Sequence, residues 1–185
     1  MSEIIILSGS PFENSSSESI MKYLGTLLEE RDIRVSHISV RDVPHEDLFF
    51  AKFDSPIVEN IASLIRNAKG VIIGSPVYKA AYSGVLKTLI DILPQDVLEG
   101  KPVFPLMTGG SSSHLLALEY AFKPLLATLK SHNLKGVYLI DSQIDKEKEI
   151  PILDENTLQR TLKQLDYFIE FIHMQNRSIP THYTI

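Results

Sequence analysis

Short apolar runs alternate with amphipathic stretches of helical period along the whole chain, and this alternation confines it to an α/β fold, a parallel sheet covered by helices on both faces. The first run, Ile4-Ile5-Ile6-Leu7, is closed by the turn-forming Ser8-Gly9-Ser10-Pro11. Behind it, Ser15-Ser16-Ser17 offers N-cap candidates, and Ile20, Leu24, Leu27 and Leu28 follow at helical spacing. Residues 33–40 alternate apolar and polar (Ile33, Val35, His37 or Ile38, Val40), which predicts a second strand nearer the sheet edge. Residues 41–55 read as polar and irregular, with an aromatic cluster at Phe49, Phe50 and Phe53. Ser55-Pro56 opens a second helix, and Ile57, Ile61, Leu64, Ile65 and Ala68 form its buried stripe. Gly70 then leads into Val71-Ile72-Ile73-Gly74, the continuous apolar run expected of a central parallel strand.

The second half repeats the pattern. A third helix is predicted over 84–93 and a fourth strand at Val103-Phe104-Pro105-Leu106-Met107. A fourth helix is predicted over 113–132, a fifth strand at Val137-Tyr138-Leu139-Ile140, and a final helix carrying Leu158, Leu162, Leu165, Ile169 and Ile172. Right-handed crossovers leave few topologies, so the expectation is a three-layer sandwich around a five-stranded parallel sheet in the order 2-1-3-4-5. With no repeat, low-complexity tract or linker, residues 1–176 read as one domain and 177–185 as a C-terminal tail.

Composition excludes several functions. The chain has 185 residues and no cysteine, so it cannot make disulfides, run thiol redox chemistry or ligate an iron–sulfur cluster by itself. Any redox activity must rest on a bound organic cofactor. The net charge of −5, with no basic run, argues against nucleic acid as a partner. No stretch approaches the roughly 20 apolar residues of a membrane span, and the start of the chain lacks the features of a signal peptide, so a cytoplasmic location is expected. The six histidines show no metal-ligand spacing, and no metal site is expected.

In a doubly wound sheet the ligand sits beyond the carboxyl ends of the strands, where strand order reverses. Three loops fall there. The first, 8–17, joins a strand to a helix N-terminus; it reads either as an ordinary serine-rich cap or as a phosphate cradle aided by about half a unit of positive dipole charge. It matches neither GxGxxG nor GxxxxGK[ST], which argues against a Rossmann dinucleotide site and a nucleotide triphosphatase. The second, 74–87, is bracketed by Pro76 and Gly84. Tyr78 and Tyr82 there read as contacts for a flat heterocycle or as surface tyrosines. The third, Thr108-Gly109-Gly110-Ser111-Ser112-Ser113-His114, lets backbone approach a ligand closely, and His114 reads as incidental. A phosphate cradle beside two flat-ligand loops describes a flavin mononucleotide (FMN) site.

The segments Gly9-Ser10-Pro11, Pro76-Val77-Tyr78-Lys79-Ala80-Ala81-Tyr82-Ser83-Gly84-Val85-Leu86-Lys87-Thr88-Leu89 and Thr108-Gly109-Gly110 resemble the NADPH-dependent FMN reductase family. Three more segments bring the chain nearest to the sulfonate-assimilation branch, which is associated with alkanesulfonate monooxygenase: 47–56, 114–125 and Asp141-Ser142-Gln143. The resemblance implies a flavodoxin-like fold, FMN as substrate or loosely held cofactor, and NADPH as hydride donor. It also implies a homotetramer or homodimer and release of reduced FMN to a flavin-dependent monooxygenase. By this reading Ser10, Ser15, Ser16 and Ser17 take the FMN phosphate. Pro76, Val77, Tyr78, Lys79 and Ser83 take the isoalloxazine, and Thr108, Gly109 and Gly110 close its other edge.

No catalytic side chain is required, because the cofactor carries the hydride chemistry. Many relatives place Arg soon after Gly-Ser-Pro, where this chain has Phe12-Glu13; a guanidinium is missing there, and Glu13 disfavours an anion. In the fourth helix Pro124 cannot donate to the carbonyl of Tyr120, so the helix must bend, lose a bond or widen into a π-bulge. The resemblance places Tyr120 in such a bulge, at a subunit interface, as a residue tuning flavin release. The rival readings are a flavodoxin-type electron carrier and an FMN-bound quinone or azo reductase.

Overall fold

A computed structural model describes residues 3–177. The strands are β1 (Ile4–Ser8), β2 (Val35–Ser39), β3 (Gly70–Pro76), β4 (Pro102–Gly109), β5 (His132–Asn133) and β6 (Val137–Ile140). The helices are α1 (Ser16–Glu29), α2 (His45–Phe49), α3 (Pro56–Asn67), α4 (Gly84–Ile92), α5 (Lys123–Thr128) and α6 (Glu155–Arg177). All strand pairs are parallel, in the order β2-β1-β3-β4-β5, with β6 also on β4. This is the doubly wound, flavodoxin-like sheet with its switch point between β1 and β3.

Strand alternation divides the core into two layers. Ile5, Leu7, Val71, Ile73, Val103 and Met107 face α3 and α4, meeting Val58, Ile61, Ile65, Leu86 and Leu89. Ile4, Ile6, Ile72, Phe104 and Leu106 face α1 and α6, meeting Ile20, Leu24, Leu28, Leu165, Phe168 and Ile172. Both faces of the central strands are covered, which is why they read as unbroken apolar runs. Each buried Leu, Ile or Phe contributes about 1.5–3 kcal/mol over its exposed state.

The structure corrects the sequence reading in three places. The fifth strand is one interrupted edge: Pro102 and Val103 pair with His132 and Asn133, whereas Leu106 pairs with Val137, one residue out of step. The Val103 carbonyl accepts the Leu134 N–H, so alternate β4 residues, Pro105 among them, turn toward this edge. Pro105 has no N–H to give, and the edge bulges around it. Gly136 makes the bulge possible, with a φ of +68° at a place where a Cβ would run into the Pro105 carbonyl oxygen.

The helix expected over 113–132 is instead a 3₁₀ turn at Ser112–His114, a π-turn at Leu118–Phe122, and α5. Residues 41–55, expected to be irregular, contain α2 and a 3₁₀ turn at Val40–Asp42. That turn is closed by a capping box, in which Ser39 and Asp42 satisfy each other's backbone N–H groups. The expected tail at 177–185 lies outside the described residues, apart from Arg177 at the end of α6. Among the described residues no helix is long and apolar enough to cross a membrane.

Candidate functional site

The carboxyl ends of β1, β3 and β4 lie side by side, with Ser8 opposite Gly74 and Pro76 opposite Thr108. The three loops leaving them are bonded to one another. The Gly9 N–H donates to the Gly74 carbonyl at 2.7 Å, and the Val77 N–H donates to the Thr108 carbonyl at 2.7 Å. The Ser83 hydroxyl donates across to the Gly9 carbonyl at 2.5 Å and accepts the Leu86 N–H at 3.1 Å, capping α4. The Ser83 N–H is itself held by the buried Ser75 hydroxyl at 2.9 Å. Ser83 therefore straps the second loop to the first.

In the first loop, Ser10 is fully buried; its hydroxyl donates to the Phe12 carbonyl (2.9 Å) and accepts the Phe12 N–H (3.1 Å). This folds the loop tip back on itself. Ser15 is the N-cap of α1 and accepts the Glu18 N–H at 3.2 Å. Its hydroxyl also meets that of the buried Ser17 at 3.2 Å. Ser16 is half-buried, and its hydroxyl has no hydrogen bond among the described residues. The first-turn N–H groups of Ser16 and Ser17 have no intrahelical acceptor, so the loop ends in an anion-seeking pair of donors beside a free hydroxyl.

The loop rests on a charged strut. Glu18 is buried and accepts from the Ser8 hydroxyl. Arg41, just past β2, reaches Glu18 at 3.4 Å and the Ser10 carbonyl at 3.0 Å through one guanidinium nitrogen. Its charge is thus matched by Glu18.

The second loop is a tight turn in which Tyr78 and Ala81 exchange backbone hydrogen bonds at 2.8 and 3.1 Å. Its two central residues, Lys79 and Ala80, have φ of +50° and +65°. That is the signature of a type I′ turn, but built without glycine. Holding two side-chain-bearing residues in this region costs roughly 1–2 kcal/mol each, and such strain collects at functional sites. Tyr82 packs on Phe122 with ring centroids 5.9 Å apart, so it ties this loop to the π-turn.

In the third loop, Thr108 and Gly109 are buried, while Gly110 and His114 are exposed. The Tyr138 hydroxyl donates to the Ser111 carbonyl at 2.5 Å, and Ser111 caps the following turn by accepting the Ser113 N–H at 3.1 Å. Burial first, and the Asp141 carboxylate second, push the Tyr78 and Tyr138 hydroxyls above their ordinary values. Both remain proton donors at neutral pH.

The helix beyond takes the third of its three options. The Lys123 N–H bonds the Leu118 carbonyl, five residues back, and Tyr120 bulges outward at 78% exposure while Phe122 is fully buried.

The sequence reading missed Arg41, Glu18, Ser75 and Tyr138. Two of them carried a signal. Glu18 stands three residues after the N-cap serine, the capping-box spacing, and Arg41 follows a strand at its carboxyl end. Among the described residues no cluster of three or more metal-ligand side chains forms. A concavity lined by Asp32, Arg34 and Asn67 lies at the amino ends of the strands, away from the loops.

Residues 2–145 match the family model described as NADPH-dependent FMN reductase. The chain belongs to that family. The FMN reductase (NADPH) of Escherichia coli K12 is 41% identical over 178 residues, 96% of this chain and 93% of that one. The FMN reductase (NADPH) of Pseudomonas putida KT2440 is 44% identical over 142 residues, 76% and 72% of the two chains. Among solved structures, apo NADH:FMN oxidoreductase (EMOB) superposes with a TM-score of 0.81 at 30% identity, covering 91% of this chain and 88% of the other.

The geometry of this FMN reductase family member fits the group its family name carries. The free donors of Ser16 and Ser17 suit a phosphate. The type I′ turn and the buried Thr108–Gly109 backbone lie side by side beyond the ends of β3 and β4, joined by the Val77–Thr108 hydrogen bond.

Proposed function

We propose that the chain is an NAD(P)H-dependent FMN reductase that delivers reduced FMN to a partner monooxygenase in sulfonate assimilation, acting in the cytoplasm as a homo-oligomer. The observation that carries the reading is the mutual bonding of the three loops at the ends of β1, β3 and β4, in a chain of this family. When bound, FMN supplies the hydride chemistry, with NADPH as the donor.

The chain's own residues bind and orient. The N–H groups of Ser16 and Ser17 and the Ser16 hydroxyl hold the phosphate. Ser15 and Ser10 hold the loop in shape, Ser10 through its bonds to Phe12. Pro76, Val77, Tyr78 and Lys79 present backbone to one edge of the ring, Thr108, Gly109 and Gly110 to the other, and Ser83 fixes the distance between loops. Two observations support assembly and release. Phe49, Phe50 and Phe53 are 81%, 69% and 73% exposed, more apolar surface than one short segment of a monomer usually shows. The π-turn also thrusts Tyr120 outward near the loop that Tyr82 anchors.

Stopped-flow oxidation of NADPH and of NADH, each with free FMN, FAD and riboflavin, tests the function, with sedimentation velocity for the assembly. Rapid turnover of free FMN by a nearly colourless protein is expected. A yellow protein without nicotinamide turnover is an electron carrier. Ping-pong reduction of a quinone or azo dye, with little reduction of free FMN, overturns the proposal in the other direction.

The strained turn yields a sharper expectation. Ala80→Gly relieves roughly 1 kcal/mol of left-handed strain and returns about half of it as added freedom of the unfolded chain. Urea unfolding should show a net gain of about 0.5 kcal/mol, while flavin titration shows weaker FMN binding because the turn is no longer held. Unchanged affinity would mean that the strain serves no binding role.

A further inference from the structure

The loop that receives the phosphate contains no basic residue, and Arg41 beside it is already matched by Glu18. A second cation nevertheless reaches the loop, from the connection after the far edge strand on the same face of the sheet as α1. Lys146, in the connection between β6 and α6, donates from Nζ to the Asn14 carbonyl at 2.8 Å, across 132 residues of sequence. Asn14 immediately precedes the N-cap of α1. An ammonium at that place faces the positive end of the helix dipole, where a cation is disfavoured and an anion is welcome. Lys146 forms no ion pair among the described residues, and this single carbonyl occupies one of its three donors. Glu13, Glu30, Glu147 and Glu149 line the same cleft between α1 and the 146–151 segment, together with Lys22 and Lys148; Lys148 lies 3.9 Å from Asp145. None of these side chains is bonded to the Lys146 ammonium.

We propose that Lys146 is the cation for the FMN phosphate, supplied from the β6–α6 connection of the same chain to a loop that has none of its own. The proposal rests on reading the first loop as the phosphate cradle. The Asn14 carbonyl parks the ammonium on the residue before the N-cap, two and three positions ahead of the free N–H groups of Ser16 and Ser17, and a phosphate bound there turns an unfavourable placement into an attractive one. A lysine is a point charge on a flexible stem, which suits a ligand that must arrive and leave better than a bidentate guanidinium does. Selectivity follows: the phosphorylated flavin gains from Lys146, and riboflavin does not.

Dissociation constants of FMN and riboflavin, read from flavin fluorescence at two salt concentrations, test this on the wild-type protein and on Lys146→Met, Lys146→Arg and Lys22→Met. Lys146→Met is expected to weaken FMN roughly tenfold and to flatten its salt dependence, with riboflavin unchanged. Lys146→Arg should keep most of the affinity, and Lys22→Met all of it. Equal losses of FMN and riboflavin in Lys146→Met would assign the residue to loop folding and overturn the proposal. So would an unchanged FMN constant, or an effect confined to the KM for NADPH. Wild-type protein that binds riboflavin as tightly as FMN would overturn the phosphate cradle itself.

Discussion

Gly9→Ala should cost about 3 kcal/mol of stability and remove FMN binding. A Cβ at position 9 would stand 2.8 Å from the Leu86 Cβ, 2.7 Å from its Cδ2 and 3.0 Å from the Gly74 carbonyl oxygen. None of these atoms can retreat. Leu86 is fully buried on the inner face of α4, and Gly74 lies within the central strand β3. Overpacking of a closed core costs roughly 1–3 kcal/mol. The loop must then lift off, which endangers the Gly9–Gly74 and Ser83–Gly9 hydrogen bonds, each worth about 1 kcal/mol. The functional loss follows from the same contacts, because Ser83 sets the spacing between the first two loops and Gly9 leads directly into the proposed phosphate loop. Gly110→Ala is the matched control: no atom lies within 4 Å of its added Cβ, and stability should stay within about 0.5 kcal/mol. Urea denaturation and FMN titration of the two variants separate close approach from a general intolerance of side chains in these loops.

What the sequence disclosed and what it hid divide along physical lines. The central strands were legible because burial on both faces makes Ile4-Ile5-Ile6-Leu7 and Val71-Ile72-Ile73-Gly74 continuous apolar runs. Ser55-Pro56 was legible as a helix start because cap and first-turn proline act locally. The broken edge at His132–Asn133 was not, because its interruption comes from Pro105 on the neighbouring strand. The site follows the same rule. Gly9, Thr108 and Gly109 announce close approach by their small size. Ser10 and Ser83 also stood out, yet their hydroxyls are spent on the Phe12 backbone and on the Gly9 carbonyl. Arg41 and Lys146 reach the first loop from 31 and 132 residues away, at distances set only by the fold. No local pattern marks such residues. Pro124 is the intermediate case: its missing N–H forces an irregularity in the helix, while the form it takes, a π-turn with Phe122 fully buried, is set by the tertiary packing.

Tyr120→Ala should leave the fold intact and change the fate of the flavin. The side chain is 78% exposed, so its truncation should move stability by no more than about 0.5 kcal/mol. The π-turn itself is a backbone feature, anchored by the Lys123–Leu118 hydrogen bond and the proline that follows, and it survives the change. What is lost is a phenol projecting from the turn whose Phe122 packs on Tyr82 in the second loop. If that phenol disfavours retention of FMN, the variant purifies yellow, and steady-state turnover of free FMN falls roughly tenfold or more, equivalent to about 1.4 kcal/mol on the release step. The flavin retained by the variant should still be reduced by NADPH in a single turnover, because the three loops proposed to orient it are untouched. This split between preserved reduction and impaired exchange distinguishes a release residue from a structural one, which would lower both. Tyr120→Phe keeps the ring and is expected to behave nearly as wild type. A Tyr120→Ala protein that stays colourless and turns over free FMN at the original rate would remove Tyr120 from the release step and leave the exposed π-turn without a part in the cycle.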